Sequence, residues 1–242
     1  MNYIIVIPAR YKSSRFPGKP LADICGKTMI QRVWEICISA IGEKNVFVAT
    51  DDKKIENHCL NLGIQVLITS ESCLTGTDRL YEASRQIDAD VYVNVQGDEP
   101  LIKPEDIKTV IDTSLKYPND IVNAMCNINN EEEFRSVTIP KVVCRPDGRL
   151  LYMSRAPIPT GKAHEFISAK KQVCVYAYPK KALNEFGKNG AKGKLESIED
   201  IEILRFLELG HEVKMVEVSD SSIAVDTPSD LERVQGIFKA FS

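Results

Sequence analysis

The sequence predicts an α/β fold with a mostly parallel central sheet, and three features lead to that prediction. Apolar, β-rich runs alternate with helix-like runs along the first half of the chain. The connections between these runs are short, which favours right-handed crossovers between parallel strands. With 242 residues, the chain is long enough to bury the core of one large domain. We therefore expect a single domain over residues 1–242, with an excursion at about 150–180.

The first half of the chain contains the regular part of this pattern. Its first strand is predicted at 3–8, because a continuous apolar run of this kind is typical of a strand buried on both faces. Pro104 opens a helix that extends to Lys116, since proline suits the first helical turn. Further strands are predicted at 45–50, 65–69 and 91–95, and further helices at 28–41, 52–62 and 77–88.

The second half is less regular. Residues 155–171 are polar, contain proline and show no period, so we expect them to leave the sheet and to meet a partner subunit. A helix over Leu195–Leu209 is predicted to end at Gly210, which suits the residue after a helix. The remaining predictions are strands at 121–126, 141–145, 149–153, 172–178 and 212–218, and a last helix at 228–240.

A basic loop follows the first strand. It carries Arg10, Lys12, Arg15 and Lys19, and in open α/β sheets ligands bind at the carboxyl ends of strands. This position favours an anion site over the alternative of a solvated run of charges. The loop lacks the glycine spacing of a dinucleotide fingerprint, and Gly18-Lys19 is followed by Pro20, which excludes a Walker loop.

Two carboxylates follow later apolar runs. Asp98 comes after the strand predicted at 91–95, and Asp226 comes before the last helix. Magnesium commonly takes one or two carboxylates together with the phosphates of a substrate, so both residues are candidate ligands. The alternatives are an ordinary turn at Asp98 and an N-cap at Asp226.

Composition limits the classes of function. The net charge of −3 argues against a general nucleic-acid binder. The seven cysteines are scattered without a Cys-x-x-Cys pair, so we expect reduced thiols and no structural metal. No basic leader precedes the first strand and no apolar run is long enough for a membrane span, so we expect a soluble cytoplasmic protein.

Several motifs resemble the 3-deoxy-manno-octulosonate cytidylyltransferases, or CMP-Kdo synthetases. The resemblance implies a Rossmann-like nucleotidyltransferase sheet with a smaller dimerisation subdomain, and a homodimer. It also implies transfer of CMP from CTP to a 2-keto-3-deoxy sugar acid with release of pyrophosphate, for lipopolysaccharide or capsule, with Mg²⁺ as cofactor. The motifs are, in order, PARYKSSRFPGKPL, VATDD, TGTDRL, VNVQGDEPLI, LYMSRAPIP, VYAY, LESIEDIEILRFLELG and VDTPSDLERV.

The resemblance also assigns nucleotide-site residues to this chain. Asp98 and Asp226 match the magnesium ligands, and Arg10, Lys19 and Asp98 are the candidate catalytic residues, while Lys12 is expected to be solvated. The positions that match the nucleotide site are Pro8, Ala9, Arg10, Arg15, Lys19, Thr75 and Gln96.

The sugar-acid site is predicted from the second half of the chain. Arg155 is the candidate partner of the sugar carboxylate, because its guanidinium can form two parallel hydrogen bonds. Tyr176, Glu196 and Glu199 are candidate contacts of hydroxyl groups. The two glutamates could instead belong to the solvated side of one helix, and Glu202 is interpreted as structural.

One position departs from the family pattern. Gln172 stands where the family usually has histidine, and glutamine cannot carry the charge that histidine can. We therefore expect Gln172 to contact the sugar acid, and we hypothesise an amino- or otherwise modified octulosonate as substrate. Two alternatives are a nine-carbon, acylneuraminate-like acid and a non-catalytic nucleotide sensor.

Overall fold

The computed structural model describes residues 1–12, 16–188 and 190–240. The chain divides into two compact units, the first formed by Met1–Lys108 with Ser221–Ser242 and the second by Thr109–Asp220. The predicted excursion at 150–180 therefore lies within the second unit, which extends beyond it on both sides. The elements are β1 (Tyr3–Ala9), β2 (Asp23–Ile24), β3 (Lys27–Thr28), α1 (Met29–Ile41), β4 (Val46–Thr50), α2 (Lys53–Asn61), β5 (Gln65–Ile68), α3 (Gly76–Ser84), β6 (Val91–Val95), α4 (Pro104–Lys116), β7 (Ile121–Asn127), α5 (Glu131–Arg135), β8 (Lys141–Cys144), β9 (Leu150–Ser154), β10 (Lys170–Pro179), α6 (Lys180–Lys188), α7 (Lys194–Glu199), α8 (Ile203–Glu208), β11 (Val213–Glu217) and α9 (Pro228–Ala240).

The first unit contains four parallel strands, which confirms the sequence prediction for this region. β1 lies between β6 and β4, and β5 pairs with the outer side of β4. β1 is fully buried at Ile5, Val6 and Ile7, as expected for a strand covered on both faces. Because the strands are parallel, the residues that follow β1 and β6 come to the same edge of the sheet.

The second unit is built around β7. This strand pairs in parallel with β11 and antiparallel with β10. β10 also pairs with β8, and β8 pairs with β9, both antiparallel. The register between β7 and β10 shifts between Val173 and Tyr176, so β10 contains a bulge. The ring of Tyr178 stacks on Phe206 at 5.0 Å between centroids, and Phe206 stacks on Phe186 at 4.6 Å.

The single helix predicted over Leu195–Leu209 is wrong, because the chain forms two short helices there. α7 ends at Glu199, and Asp200 adopts a left-handed backbone with φ of 52° before α8 begins at Ile203. Hydrogen bonds from the Arg155 guanidinium hold the carbonyl oxygens of Glu199 and Asp200 at this break. Such a distant partner leaves no periodic signal in the sequence.

Other features follow the sequence more closely. Gly210 has φ of +82° just after α8, which confirms its predicted place at the end of a helix. The irregular segment extends from 155 to 169, since β10 already begins at Lys170. Within the described part of the chain, no helix combines the length and the hydropathy that a membrane crossing requires.

Candidate functional site

An ammonium group and two carboxylates meet at the ligand edge of the first unit. The Nζ atom of Lys19 lies 2.6 Å from Oδ2 of Asp98 and 3.5 Å from Oδ1 of Asp226. Lys19 lies in a short 3-10 turn at the end of the basic loop, Asp98 follows β6, and Asp226 precedes α9. The structure thus brings together three residues that are 79 or more positions apart in the chain.

Two backbone contacts hold this cluster in place. Nζ of Lys19 also donates to the carbonyl oxygen of Val225 at 2.8 Å, and the amide of Val225 donates to the carbonyl of Asp98 at 2.9 Å. The side chain of Lys19 is 16% exposed, against 24% for Asp98 and 31% for Asp226. The carboxylates are therefore still open to a ligand, while the lysine is largely enclosed.

Electrostatics favour the charged form of Lys19. Burial opposes the charge, but the carboxylates of Asp98 and then Asp226 outweigh burial, so the pKa of Lys19 is raised above its usual value. Lys19 therefore remains an ammonium ion at neutral pH. A cation shared by two carboxylates shows that this position suits positive charge.

Asp226 is not needed to cap the last helix. Oδ2 of Asp230 accepts the amides of Thr227 at 2.8 Å and of Asp226 at 3.1 Å, and Oγ1 of Thr227 accepts the amide of Asp230 at 3.3 Å. Thr227 and Asp230 thus form a reciprocal cap at the start of α9. The side chain of Asp226 is left to interact with Lys19.

Two glycines bring the other nucleotide-site residues together. A Cβ atom at Gly97 would lie 3.1 Å from the carbonyl oxygen of Pro8, so the end of β1 and the turn after β6 approach closely. A Cβ atom at Gly76 would lie 2.6 Å from Nε2 of Gln96, so the Gln96 amide packs directly against this glycine and would have to shift for a larger residue. Gln96 therefore lies against the start of α3, and Pro8 lies against the turn that follows β6.

Thr75 caps the start of helix α3. Its Oγ1 accepts the amide of Asp78 at 3.1 Å and donates to the Asp78 carboxylate at 2.7 Å, which caps α3. Ala9 is buried and Arg10 is exposed directly after β1, as the prediction of a basic loop at a strand end requires. Arg15 lies outside the described residues.

Lys12 behaves as the sequence predicts. Its side chain is 80% exposed and forms a surface ion pair of 2.9 Å with Glu71. Such pairs contribute little to stability. Lys12 is therefore a solvated member of the basic loop.

In the second unit, the guanidinium of Arg155 binds backbone carbonyl groups. Its Nε donates to the carbonyl of Glu199 at 2.5 Å, and its terminal nitrogens donate to the carbonyls of Asp200 at 2.9 Å and Val137 at 2.8 Å. All three nitrogens of the guanidinium thus have carbonyl partners. This geometry weighs against the predicted contact with a sugar carboxylate and favours a positioning role.

Glu199 belongs to the same network. Its carboxylate accepts Oγ of Ser154 at 2.6 Å and the amide of Arg155 at 2.8 Å. Burial by itself raises the pKa of Glu199, but the hydrogen bonds from Arg155, Ser154 and Tyr152 outweigh burial and lower the pKa. Glu199 therefore anchors the start of the irregular segment to the end of α7.

Glu196 lies in neither of its predicted environments. It is fully buried, and its carboxylate forms a two-point ion pair with Arg205 at 2.5 Å and 2.7 Å. The same carboxylate accepts the amide of Gly193 at 3.0 Å. Glu196 has no surface to offer a ligand, so we reassign it from sugar contact to an internal ion pair.

Tyr176 and Gln172 lie on β10. Tyr176 is 7% exposed, and burial, followed by the neighbouring Cys174, Tyr178 and Glu202, raises its pKa well above the usual value. The sequence interpretation left Glu202 as structural, yet its charge acts on the Tyr176 hydroxyl.

Comparisons with known proteins give a consistent result. The model of a family described as cytidylyltransferase matches residues 4–215. The chain is 41% identical to an 8-amino-3,8-dideoxy-manno-octulosonate cytidylyltransferase of Shewanella oneidensis, over 97% of this chain and 98% of that protein. It is 38% identical to a 3-deoxy-manno-octulosonate cytidylyltransferase of Escherichia coli, over 97% of this chain and 95% of that protein.

Solved structures agree with these matches. A CMP:2-keto-3-deoxy-manno-octonic acid synthetase complexed with CTP superimposes with a TM-score of 0.93 at 36% identity, covering 100% of both chains. A cytidylyltransferase from Leptospira borgpetersenii superimposes with a TM-score of 0.65 at 17% identity and covers 100% of this chain and 88% of that chain, which supports the fold alone.

Proposed function

Because this chain belongs to the cytidylyltransferase family, we propose that it transfers CMP from CTP to an eight-carbon 2-keto-3-deoxy sugar acid and releases pyrophosphate. The resemblance predicted from the sequence motifs is thereby confirmed at the level of the family. The observation that carries the proposal is the meeting of Lys19 with Asp98 and Asp226 at the ligand edge of the parallel sheet. The product would enter lipopolysaccharide or capsule synthesis in the cytoplasm.

The proposed reaction is an in-line displacement at the α-phosphorus of CTP. The oxygen of the sugar's anomeric hydroxyl forms a bond to this phosphorus, and the bond from phosphorus to the oxygen bridging to the β-phosphate breaks. The hydroxyl proton passes to water, and pyrophosphate leaves with the electrons of the broken bond. Arg10, Arg15 and Lys19 would hold the phosphates, because fixed cations stabilise the charge that develops on the leaving group.

The residues around Lys19 also fit a magnesium ion. Asp98 and Asp226 already share one cation, and a pair of carboxylates together with phosphates is a set of ligands that Mg²⁺ accepts. When bound, the ion would neutralise phosphate charge and orient the pyrophosphate leaving group. Asp98 and Asp226 would hold it, and Lys19 would be free to contact phosphate.

The sugar acid is assigned to the second unit. We place Gln172 and Tyr176 at the sugar, as the family resemblance predicts. Arg155 and Glu199 would fix the surrounding backbone through the contacts between them. Pro8, Ala9, Thr75 and Gln96 would surround the base and ribose.

A homodimer is also part of the proposal. Several apolar side chains of the second unit are exposed. Two of the segments that carry them lie around Val137 and Ile198, and hydrogen bonds from Arg155 join the backbones of these two segments. Within the described residues β9 pairs only with β8, apart from a bridge between the preceding Arg149 and Lys214, so most of its other edge is open to a second copy. The exposed residues are Val137 at 68%, Leu151 at 56%, Ile167 at 74% and Ile198 at 71%.

Light scattering tests the dimer. Leu151→Asp should shift the molar mass from two chains towards one, because a charge cannot be buried unpaired at an interface. Leu60→Asp is the matched control, since Leu60 is also 56% exposed but lies in the first unit. A monomeric wild type, or equal masses for both variants, would contradict the proposed interface.

Pyrophosphate release tests the reaction. In the presence of magnesium, the wild-type chain should release pyrophosphate from CTP when 3-deoxy-manno-octulosonate or its 8-amino form is added. Asp98→Asn should reduce kcat at least about 100-fold, as expected for a group that holds a catalytic metal. Asp90→Asn is the matched control, because Asp90 precedes the same strand at its opposite end.

The same assay separates the alternatives. Turnover only with a nine-carbon acid would support an acylneuraminate-like substrate. CTP binding without pyrophosphate release in the presence of any of these acids would support a nucleotide sensor. Either result would reject the proposed reaction.

A further inference from the structure

A chain of amide hydrogen bonds links β7 to the exposed side of β10. Asn123 is fully buried, and its Nδ2 donates to the carbonyls of Val173 at 3.0 Å and Val175 at 2.9 Å. Both carbonyls belong to the bulge of β10. Nε2 of Gln172 in turn donates to Oδ1 of Asn123 at 2.9 Å.

The bulge fixes the orientation of the Asn123 amide. The two N–H groups of this amide match two carbonyl oxygens, and a reversed amide would place oxygen against oxygen at both positions. In a buried site that arrangement would leave polar atoms unsatisfied and would be strongly unfavourable. Oδ1 of Asn123 must therefore point to Gln172 as an acceptor.

The orientation of Asn123 then fixes that of Gln172. Only the NH₂ end of the Gln172 amide can bond to an acceptor, so Nε2 faces Asn123 and Oε1 faces away from it. Gln172 is partly exposed, and Oε1 accepts no hydrogen bond from residues 1–12, 16–188 or 190–240. β10 thus presents one accessible oxygen that can accept but cannot donate.

We propose that Gln172, held by Asn123, is a fixed acceptor that selects an octulosonate carrying an ammonium group over one carrying a hydroxyl at the same position. The proposal rests on the proposed function and deepens it by naming the chemical class of the sugar. An ammonium group has only donors, so a fixed acceptor suits it without reorientation. A hydroxyl can also donate to this oxygen, but a hydrogen bond from a charged donor is roughly twice as strong.

Gln172 would contact the substrate, whereas Asn123 would act through Gln172 as a positioning residue. Histidine at position 172 could present either a donor or an acceptor, depending on its tautomer and charge. Glutamine with a fixed amide presents an acceptor only. The replacement that departs from the family pattern therefore has a physical consequence for the sugar.

Competition between two sugars tests the proposal in the full chain. Pyrophosphate release is measured with CTP and either 3-deoxy-manno-octulosonate or 8-amino-3,8-dideoxy-manno-octulosonate, and kcat/KM is compared. The wild type should prefer the amino sugar by about tenfold, which is the usual difference between charged and neutral hydrogen bonds. Equal use of both sugars, or a preference for the hydroxyl form, would overturn the selection while leaving the proposed reaction intact. No turnover of either sugar would instead reject the proposed function.

Two substitutions of Gln172 locate the source of the preference. Gln172→Leu removes the acceptor, so the kcat/KM values for the two sugars should become about equal, with the KM for CTP unchanged. Gln172→Glu loses the hydrogen bond to Asn123 but keeps accepting oxygens and adds a negative charge, so it should retain the preference for the ammonium group or increase it. Loss of the preference in both variants would show that shape at position 172, rather than an acceptor, is responsible, and would overturn the proposal.

A third substitution tests the relay itself. Asn123→Leu should leave Gln172 free to rotate and reduce the preference about threefold, with little change in KM for CTP. Asn127→Leu is the matched control on the same strand, because Asn127 binds Lys170 instead of the bulge. If Asn123→Leu does not fold, the Gln172 variants still decide the proposal. An unchanged preference in a folded Asn123→Leu protein would overturn the role of the relay.

Discussion

The charged side chains of the two units differ in how far they are exposed and in what they bind. In the first unit, Asp98 and Asp226 share one ammonium and remain 24% and 31% exposed, so their oxygens can receive a ligand. In the second unit, Glu196 is fully buried against Arg205, and Arg155 bonds to three backbone carbonyls. Charge in the first unit serves binding, whereas charge in the second unit mainly holds backbone in position.

Removal of Lys19 should have the largest effect on activity. Lys19→Met should reduce kcat about 100- to 1000-fold, because the group that would stabilise the phosphate charge is lost. The fold should survive, since the two remaining carboxylates are partly solvated. Steady-state kinetics and thermal unfolding measure the two properties.

Lys12→Met is the control for that experiment. Lys12 belongs to the same loop but is 80% exposed and paired at the surface. Its loss should change kcat less than about threefold, since surface pairs are worth at most about 1 kcal/mol. A similar loss of activity in both variants would show that the whole loop, and not Lys19, provides the charge.

Breaking the Glu196–Arg205 pair should have the largest effect on stability. Glu196→Gln should reduce the free energy of unfolding by about 3–5 kcal/mol, because the buried guanidinium loses its counter-charge. Arg205 also lies 3.7 Å from the centre of the Phe186 ring, so its position is fixed by packing as well. Denaturant unfolding measures the change.

Glu131→Gln gives the matched comparison. Glu131 forms an ion pair of 2.6 Å with Arg135, but the two side chains are 59% and 48% exposed. Its loss should cost less than about 1 kcal/mol. If instead Glu196→Gln is as stable as Glu131→Gln and raises the KM for the sugar, the original prediction of a sugar contact at Glu196 is restored.

The difference between the units also explains how far the sequence could predict them. Asp98 follows a run of buried residues and Lys19 follows a strand, so both inherit their position from the parallel sheet, which the alternating pattern reveals. The meeting of Lys19 with Asp226 could not be read from spacing and came from the family resemblance. The alternation of strands and helices therefore predicts which edge of the sheet binds ligands. It does not predict which side chains meet at that edge.

In the second unit, long-range contacts override local pattern. Residues 195–209 have helical periodicity, yet Arg155 holds the carbonyls at the break near Asp200 and so ends α7 early. Glu196 is fully buried and Glu202 contributes to the pKa shift of the buried Tyr176, in conflict with one solvated helix side. The bulge in β10 is hidden for the same reason, since the amide that satisfies it comes from Asn123, 50 and 52 residues away.

Arg155 offers an intermediate test of the comparison. Arg155→Lys removes the planar group that joins three carbonyls, and we expect a loss of about 1–3 kcal/mol in unfolding free energy. The KM for the sugar acid should rise less than tenfold if the arginine only positions backbone. A rise of 100-fold or more without loss of stability would show that Arg155 binds the sugar carboxylate directly, as the sequence predicted.

A last expected effect is a change of stability with pH at Lys141. This lysine is fully buried and donates to the carbonyls of Ser136 at 2.7 Å, Ile139 at 2.8 Å and Arg155 at 2.7 Å. Burial, and then the charge of Arg155, lower the pKa of Lys141 to about 8, against an opposing contribution from Glu199. Between about pH 8 and the usual lysine value of 10.5, the unfolded chain keeps a proton that the folded chain has lost.

In this range the unfolded state binds more protons, so the contribution of Lys141 to the free energy of unfolding should increase with pH. The measurement compares the pH dependence of stability in the wild type and in Lys141→Met, which lacks the titrating group. The wild-type curve should rise relative to the variant between about pH 8 and 10.5. A relative fall would mean that the three carbonyls hold the ammonium form more strongly than burial opposes it, and Lys141 would then resemble Lys19, whose neighbours keep it charged.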